Sequence, residues 1–113
     1  MSKALKHKDF LTLLSKSKNS QRRKQLISLA TPHELKAVEE CILNIVRGNL
    51  TISRAQRQKL QKYKKALRKI TDRTGSKSSK KKILRSQQGG FLPTLLPIAL
   101  SALTSIVPAL FGK

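Results

Sequence analysis

Acidic residues are scarce in this sequence. Asp9, Glu34, Glu39, Glu40 and Asp72 face 25 Lys and Arg, giving a formal net charge of +20 over 113 residues. A chain so unbalanced repels itself, and a polyanion is what makes it tolerable. Nucleic acid is the first candidate, an anionic membrane surface the second and an acidic protein the third. The scarcity also argues against catalysis: Glu34, Glu39 and Glu40 fall on one candidate helix among basic neighbours and form no general acid/base pair. His7 and His33 are the only histidines, and no Cys/His spacing fits a zinc site. Gly89-Gly90 lacks the Lys-Ser/Thr that would complete a phosphate loop. The expectation is therefore no enzyme, no metal and no cofactor, with His33 a first-turn surface residue.

Other absences narrow the fold. There is no Trp, and Phe10 and Tyr63 are the only aromatic residues before position 91, so aliphatic side chains must supply most of any core. Cys41 is alone, which excludes an internal disulfide. It falls in an apolar helical stripe and reads as a small core residue, with a reactive thiol as the alternative. The first 30 residues contain no long apolar run, so no secretory signal is expected, and synthesis in the cytosol or nucleus follows. No segment alternates with strand period, and no internal repeat is visible.

What is present is helical patterning. Asp9 to Leu14 reads as a short helix with its acid in the first turn. Asn19-Ser20 can cap a second helix reaching about Leu29. Thr31-Pro32-His33-Glu34 has the capping-box pattern with Pro at the first helical position. Leu35, Val38, Ile42 and Ile45 then recur at helical spacing, and Gly48-Asn49 is a natural stop. Ser53-Arg54-Ala55-Gln56 opens another helix, whose stripe is Leu60, Tyr63, Leu67 and Ile70. The fold expected is all-α: a small basic bundle of about four helices in residues 1–72, built on a hairpin of 32–47 and 54–70. A Ser/Lys/Gly linker (73–90) is expected to be flexible, followed by a hydrophobic helical tail (91–113).

The 54–70 helix holds Arg54, Arg57, Lys59, Lys62, Lys64, Lys65, Arg68 and Lys69 around its apolar stripe, and no acid. Solvated helix faces usually alternate sign, so an all-cationic face points to phosphates. Arg22, Arg23 and Lys24 extend this surface, and Lys80, Lys81 and Lys82 with Arg85 resemble a nuclear-localisation cluster. Few side chains suited to reading base edges lie among them, which favours contact without sequence preference over a helix-turn-helix reader. The tail is a contrast. Between Ser86 and Gly112 there is no charge, and 14 of the 21 residues from 91 to 111 are Ala, Val, Ile, Leu or Phe, enough to span a bilayer. Thr94, Pro97, Ser101, Thr104/Ser105 and Pro108 share one face, and Ser101, Ser105 and Ala109 form a small-residue ridge. A tail anchor is one reading, and a membrane-active or protein-docking helix the other.

A basic chain followed by Gln87-Gln88-Gly89-Gly90-Phe91-Leu92-Pro93-Thr94-Leu95-Leu96-Pro97 resembles the precursors of the adenovirus core peptide mu, with their counterparts in adenovirus-related viruses and virus-like elements of animal genomes. The similarity covers about residues 86–110. It implies a virion core protein that condenses double-stranded DNA in the host nucleus, a viral protease as partner, and a cut between Gly90 and Phe91 that frees the apolar tail. The competing class is a tail-anchored membrane protein with a basic cytosolic domain, touching membrane through 91–111.

Overall fold

A computed structural model describes the backbone of residues 2–17 and 19–111, and the side chains of all of these except residue 87 and residues 104–111. Every element is helical, with eight α-helices and no strand among the described residues. The N-terminus contributes α1 (Ser2–Lys6) and α2 (Lys8–Lys16), whose Leu11 and Leu14 are buried. Helix α3 (Ser20–Leu29) begins where Asn19 Oδ1 accepts a hydrogen bond from Gln21 N at 2.8 Å. Of its apolar residues, Ile27 is buried and Leu29 exposed.

Helix α4 (Pro32–Val46) carries the expected reciprocal cap. Glu34 N donates to Thr31 Oγ1 at 3.1 Å, and Thr31 N donates to Glu34 Oε1 at 2.8 Å. Pro32 has no N–H, so two of the three orphan donors of the first turn are thereby satisfied. Its end is a Schellman turn: Gly48 has φ +74°, Gly48 N donates to Ile45 O and Asn49 N to Asn44 O. Ser53 and Gln56 repeat the reciprocal cap at the start of α5 (Arg54–Gln61).

The single helix expected over 54–70 is broken. Helix α5 stops at Gln61 and α6 runs from Lys64 to Thr71. At the break Tyr63 N donates to Leu60 O, three residues back rather than four. The bend lets the two halves serve different neighbours: α5 packs on α8 (Leu92–Phe111), whereas α6 packs on α4 and α7 (Lys77–Arg85). The hairpin of 32–47 with 54–70 is thus formed by α4 and α6, with α5 turned toward the last helix.

Residues 73–90, expected to be a flexible linker, contain α7 and a 3-10 turn (Gln87–Phe91). Ser76 caps α7 by accepting from Ser79 N, and Leu84 is buried against the rest. Lys81 Nζ reaches across to Ser28 O on α3 at 3.1 Å. One capping serine and one buried leucine are enough because α3 and α6 both pack against α7, so tertiary contact replaces the missing apolar content.

The apolar tail is the other departure. Phe91, Leu92, Leu95, Leu96, Ile98, Ala99 and Leu103 belong to the same buried cluster as Leu11, Leu14, Val38, Ile42 and Ile70. Helix α8 lies along α2 and also touches α4 and α5. Its residues Pro97 and Ser101 face outward, in line with the polar stripe read from the sequence, while 104–111 lie outside the described side chains. Among the described residues no helix is long and apolar enough to cross a membrane.

Candidate nucleic-acid interface

The cations of α5 and α6 sit where the stripe of Leu60, Tyr63, Leu67 and Ile70 dictates. That stripe is turned inward, with Leu60, Leu67 and Ile70 buried and Tyr63 half-buried. Ala66 is buried beside it, whereas Arg54, Arg57, Lys59, Lys62, Lys64, Lys65, Arg68 and Lys69 are all exposed. Seven of the eight charges therefore cover the outside of two consecutive helices that contain no acid, and Lys62 stands at the break between them. Arg22, Lys24 and Lys82 are exposed as well.

Three sequence-assigned cations are engaged inside the fold. Arg23 is 4% exposed. Its Nη2 donates to Ser86 O at 3.0 Å, and its Nε has no hydrogen-bond partner among the described residues. Ser86 is the C-cap of α7, so the guanidinium lies at the negative end of a helix dipole, which compensates part of its desolvation. Lys80 Nζ lies 3.6 Å from Glu39 Oε2, joining α7 to α4. Lys81 is half-buried on Ser28. In this conformation Arg23 cannot reach a phosphate, and Lys80 and Lys81 reach one only by giving up these contacts.

Most of the acids are likewise engaged. Glu34 completes the α4 cap, Glu40 Oε1 accepts from Ala4 N at 3.0 Å, and Asp72 Oδ1 accepts from Thr74 N at 2.9 Å. The Thr74 backbone and hydroxyl hydrogen bonds hold the Asp72 carboxyl below its ordinary pKa. With Glu39 paired to Lys80, four of the five acids therefore serve a cap, a turn or inter-helix contacts, and none of the five stands on α5 or α6.

The assigned cleavage site is not an open strand. Gly89 is buried, Gly89 N donates to Ser86 O, and Phe91 is fully buried with its ring 5.8 Å from that of Tyr63. A Cβ on Gly89 would collide with the Leu84 carbonyl, and one on Gly90 would stand 2.9 Å from the Tyr63 hydroxyl. Close packing thus accounts for Gly89, whereas beside Gly90 stands only the end of a side chain that can shift. A protease that reads extended backbone could engage Gly90 and Phe91 only after this turn unfolds.

The structure also groups residues that spacing could not. Lys3, Lys36, Arg47 and Arg73, from three different segments, line a cleft of about 260 Å³ with Glu39 and Glu40. Ile45, Val46, Ile52, Leu60 and Leu67 floor a groove edged by Arg57, Lys64 and Arg68. Only Val46, apolar yet outside the regular α4 stripe, hinted at the second. Cys41 is buried on α4, and burial pushes its thiol up to about 12, so it is no nucleophile at neutral pH. No protein-family model, curated protein or solved structure matches the chain.

Proposed function

We propose that this chain is a non-sequence-specific DNA-binding protein that neutralises and condenses the duplex, with the outer face of α5 and α6 as its principal contact. The observation carrying this is the separation of charge by role. Four of the five acids are engaged in a cap, a turn and inter-helix contacts, while eight cations stand exposed on α5, α6 and the break between them, where no acid lies. Such a face meets phosphates, not base edges, because long flexible lysines fix no register. Arg22, Lys24 and Lys82 extend the contact. A role in packing DNA within a virus-like particle is supported by the Gln-Gln-Gly-Gly-Phe-Leu-Pro likeness, but in the reading favoured here the intact chain does this work, with α8 as its core helix rather than a detachable tail.

The test is reversal of the outermost cations. Arg54→Glu, Lys62→Glu, Lys65→Glu and Lys69→Glu combined should nearly abolish DNA binding while leaving the circular dichroism spectrum unchanged, since none touches the apolar stripe. Undiminished binding by a folded variant would place the contact on the cleft around Lys36, Arg47 and Arg73 instead.

A further inference from the structure

An open groove of about 360 Å³ runs between the end of α4, the following loop and the α5–α6 arm. Its floor is apolar, formed by Ile45, Ile52, Leu60 and Leu67, and its wall includes Val46, which is 47% exposed. Along one edge stand Arg57, Gln61, Lys64 and Arg68, spaced four, three and four residues apart, and no acid lines the groove. Apolar floor and cationic edge run side by side. A ligand that satisfies both needs an apolar row beside an anionic one, which an amphipathic helix offers when acids flank its i, i+3, i+7 stripe.

We propose that this groove docks a helical segment of an acidic partner protein, its leucine-type stripe on the floor and its Asp/Glu row against Arg57, Lys64 and Arg68. Phosphate backbone has no use for the apolar floor. A second copy would bring +20 against +20 and be repelled. The three edge cations belong to the basic face assigned to DNA, so partner and DNA exclude one another; this clause rests on the proposed function, whereas the docking rests on the groove alone. An acidic helix seated there would shield the protein until a longer polyanion displaced it.

The probe is a fluorescent synthetic helix of roughly four turns, about 14 residues, with Leu at the stripe positions and Glu beside them. It is titrated with the full chain at about 0.15 M salt, where long-range attraction is screened. The expected result is saturable one-to-one binding. Replacing every Leu of the peptide by Gln should weaken it by about tenfold or more, since each buried side chain contributes on that scale. Val46→Gln, at a half-exposed position, should weaken peptide binding and leave DNA affinity unchanged, and duplex DNA should displace the peptide. Equal binding by the Gln peptide would reduce the effect to charge and overturn the proposal, as would full binding by Val46→Gln. Self-association of the chain, or its binding to vesicles of phosphatidylcholine and phosphatidylserine, would overturn it in favour of a second copy or lipid if abolished by Val46→Gln. Peptide binding that DNA fails to displace would keep the docking and overturn only the shared edge, placing the DNA contact elsewhere.

Discussion

Arg22 and Arg23 are neighbours in the chain with different surroundings, one exposed and the other buried on the Ser86 carbonyl. Replacing Arg23 by Ala removes a charged hydrogen bond and the packing of its stem, a loss of about 1.5–3 kcal/mol. Arg22→Ala should leave the melting temperature nearly unchanged and weaken DNA binding slightly, and thermal melts with DNA titrations of the two variants separate these roles. Equal melts would mean that the Ser86 contact contributes nothing. The glycines give a second contrast at this scale. Gly89→Ala drives a methyl group into the Leu84 carbonyl, backbone that cannot step aside, so a cost of about 1–3 kcal/mol is expected. Gly90→Ala meets only the end of the Tyr63 side chain, which can shift, and should cost less. Were this Gly-Gly an open protease site, both substitutions would be neutral in a denaturant titration. Cys41 supplies a chemical check: with its thiol raised to about 12, iodoacetamide should label it slowly in the folded chain and fast in urea.

Among the elements, α8 decides what kind of molecule this is. Its buried positions Leu92, Leu95, Leu96, Ile98, Ala99 and Leu103 recur at three, one, two, one and four, as in a helix with one broad face in a core. A stop codon after Gly90 removes all of them and Phe91 besides. The shortened chain should lose its cooperative melt, whereas Leu96→Ala in the full chain should cost about 2–5 kcal/mol. An unaltered melt of the 1–90 chain would restore the detachable tail. The caps of α3, α4 and α5 were legible because Asn19, Thr31–Glu34 and Ser53–Gln56 act within one helical turn, and Gly48 because a left-handed residue is a local demand. What escaped depends on distant neighbours. Helix α7 looks like linker until α3 and α6 supply the packing its own residues lack. The bend at Lys62–Tyr63 exists because α5 and α6 have different partners, and the stripe continues through it without a mark. In α8 the total hydrophobicity masks the period: of the polar stripe, Pro97 and Ser101 face outward and Thr94 is half-buried, and its complement is the core face.

For the whole molecule, shape and charge have to be reconciled. The Cα radius of gyration is 13.4 Å, close to the roughly 13 Å expected of a compact chain this long, so +20 is held within a small volume. The apolar helix makes this feasible: with few aromatics elsewhere, the leucines of α8 provide the burial that offsets self-repulsion. The cationic surface is then stable alone but stabilised further by any polyanion, so DNA should raise the melting temperature, more at low salt than at high. The same reasoning sets the affinity. If the eight exposed cations of α5, α6 and the break between them each meet a phosphate, their counterions are released, and log affinity should fall against log salt with a slope of about −7. Arg23, Lys80 and Lys81, held internally, should add little, so substituting Arg23 should leave the slope unchanged even where it lowers stability. Removing Lys62 and Lys65 should make it shallower by about two, one phosphate for each cation. Competition among unrelated duplexes should give nearly equal affinities, because contacts to the backbone carry no sequence information. A slope shallower than about −3, or strong preference for one duplex, would contradict binding by charge neutralisation over this face.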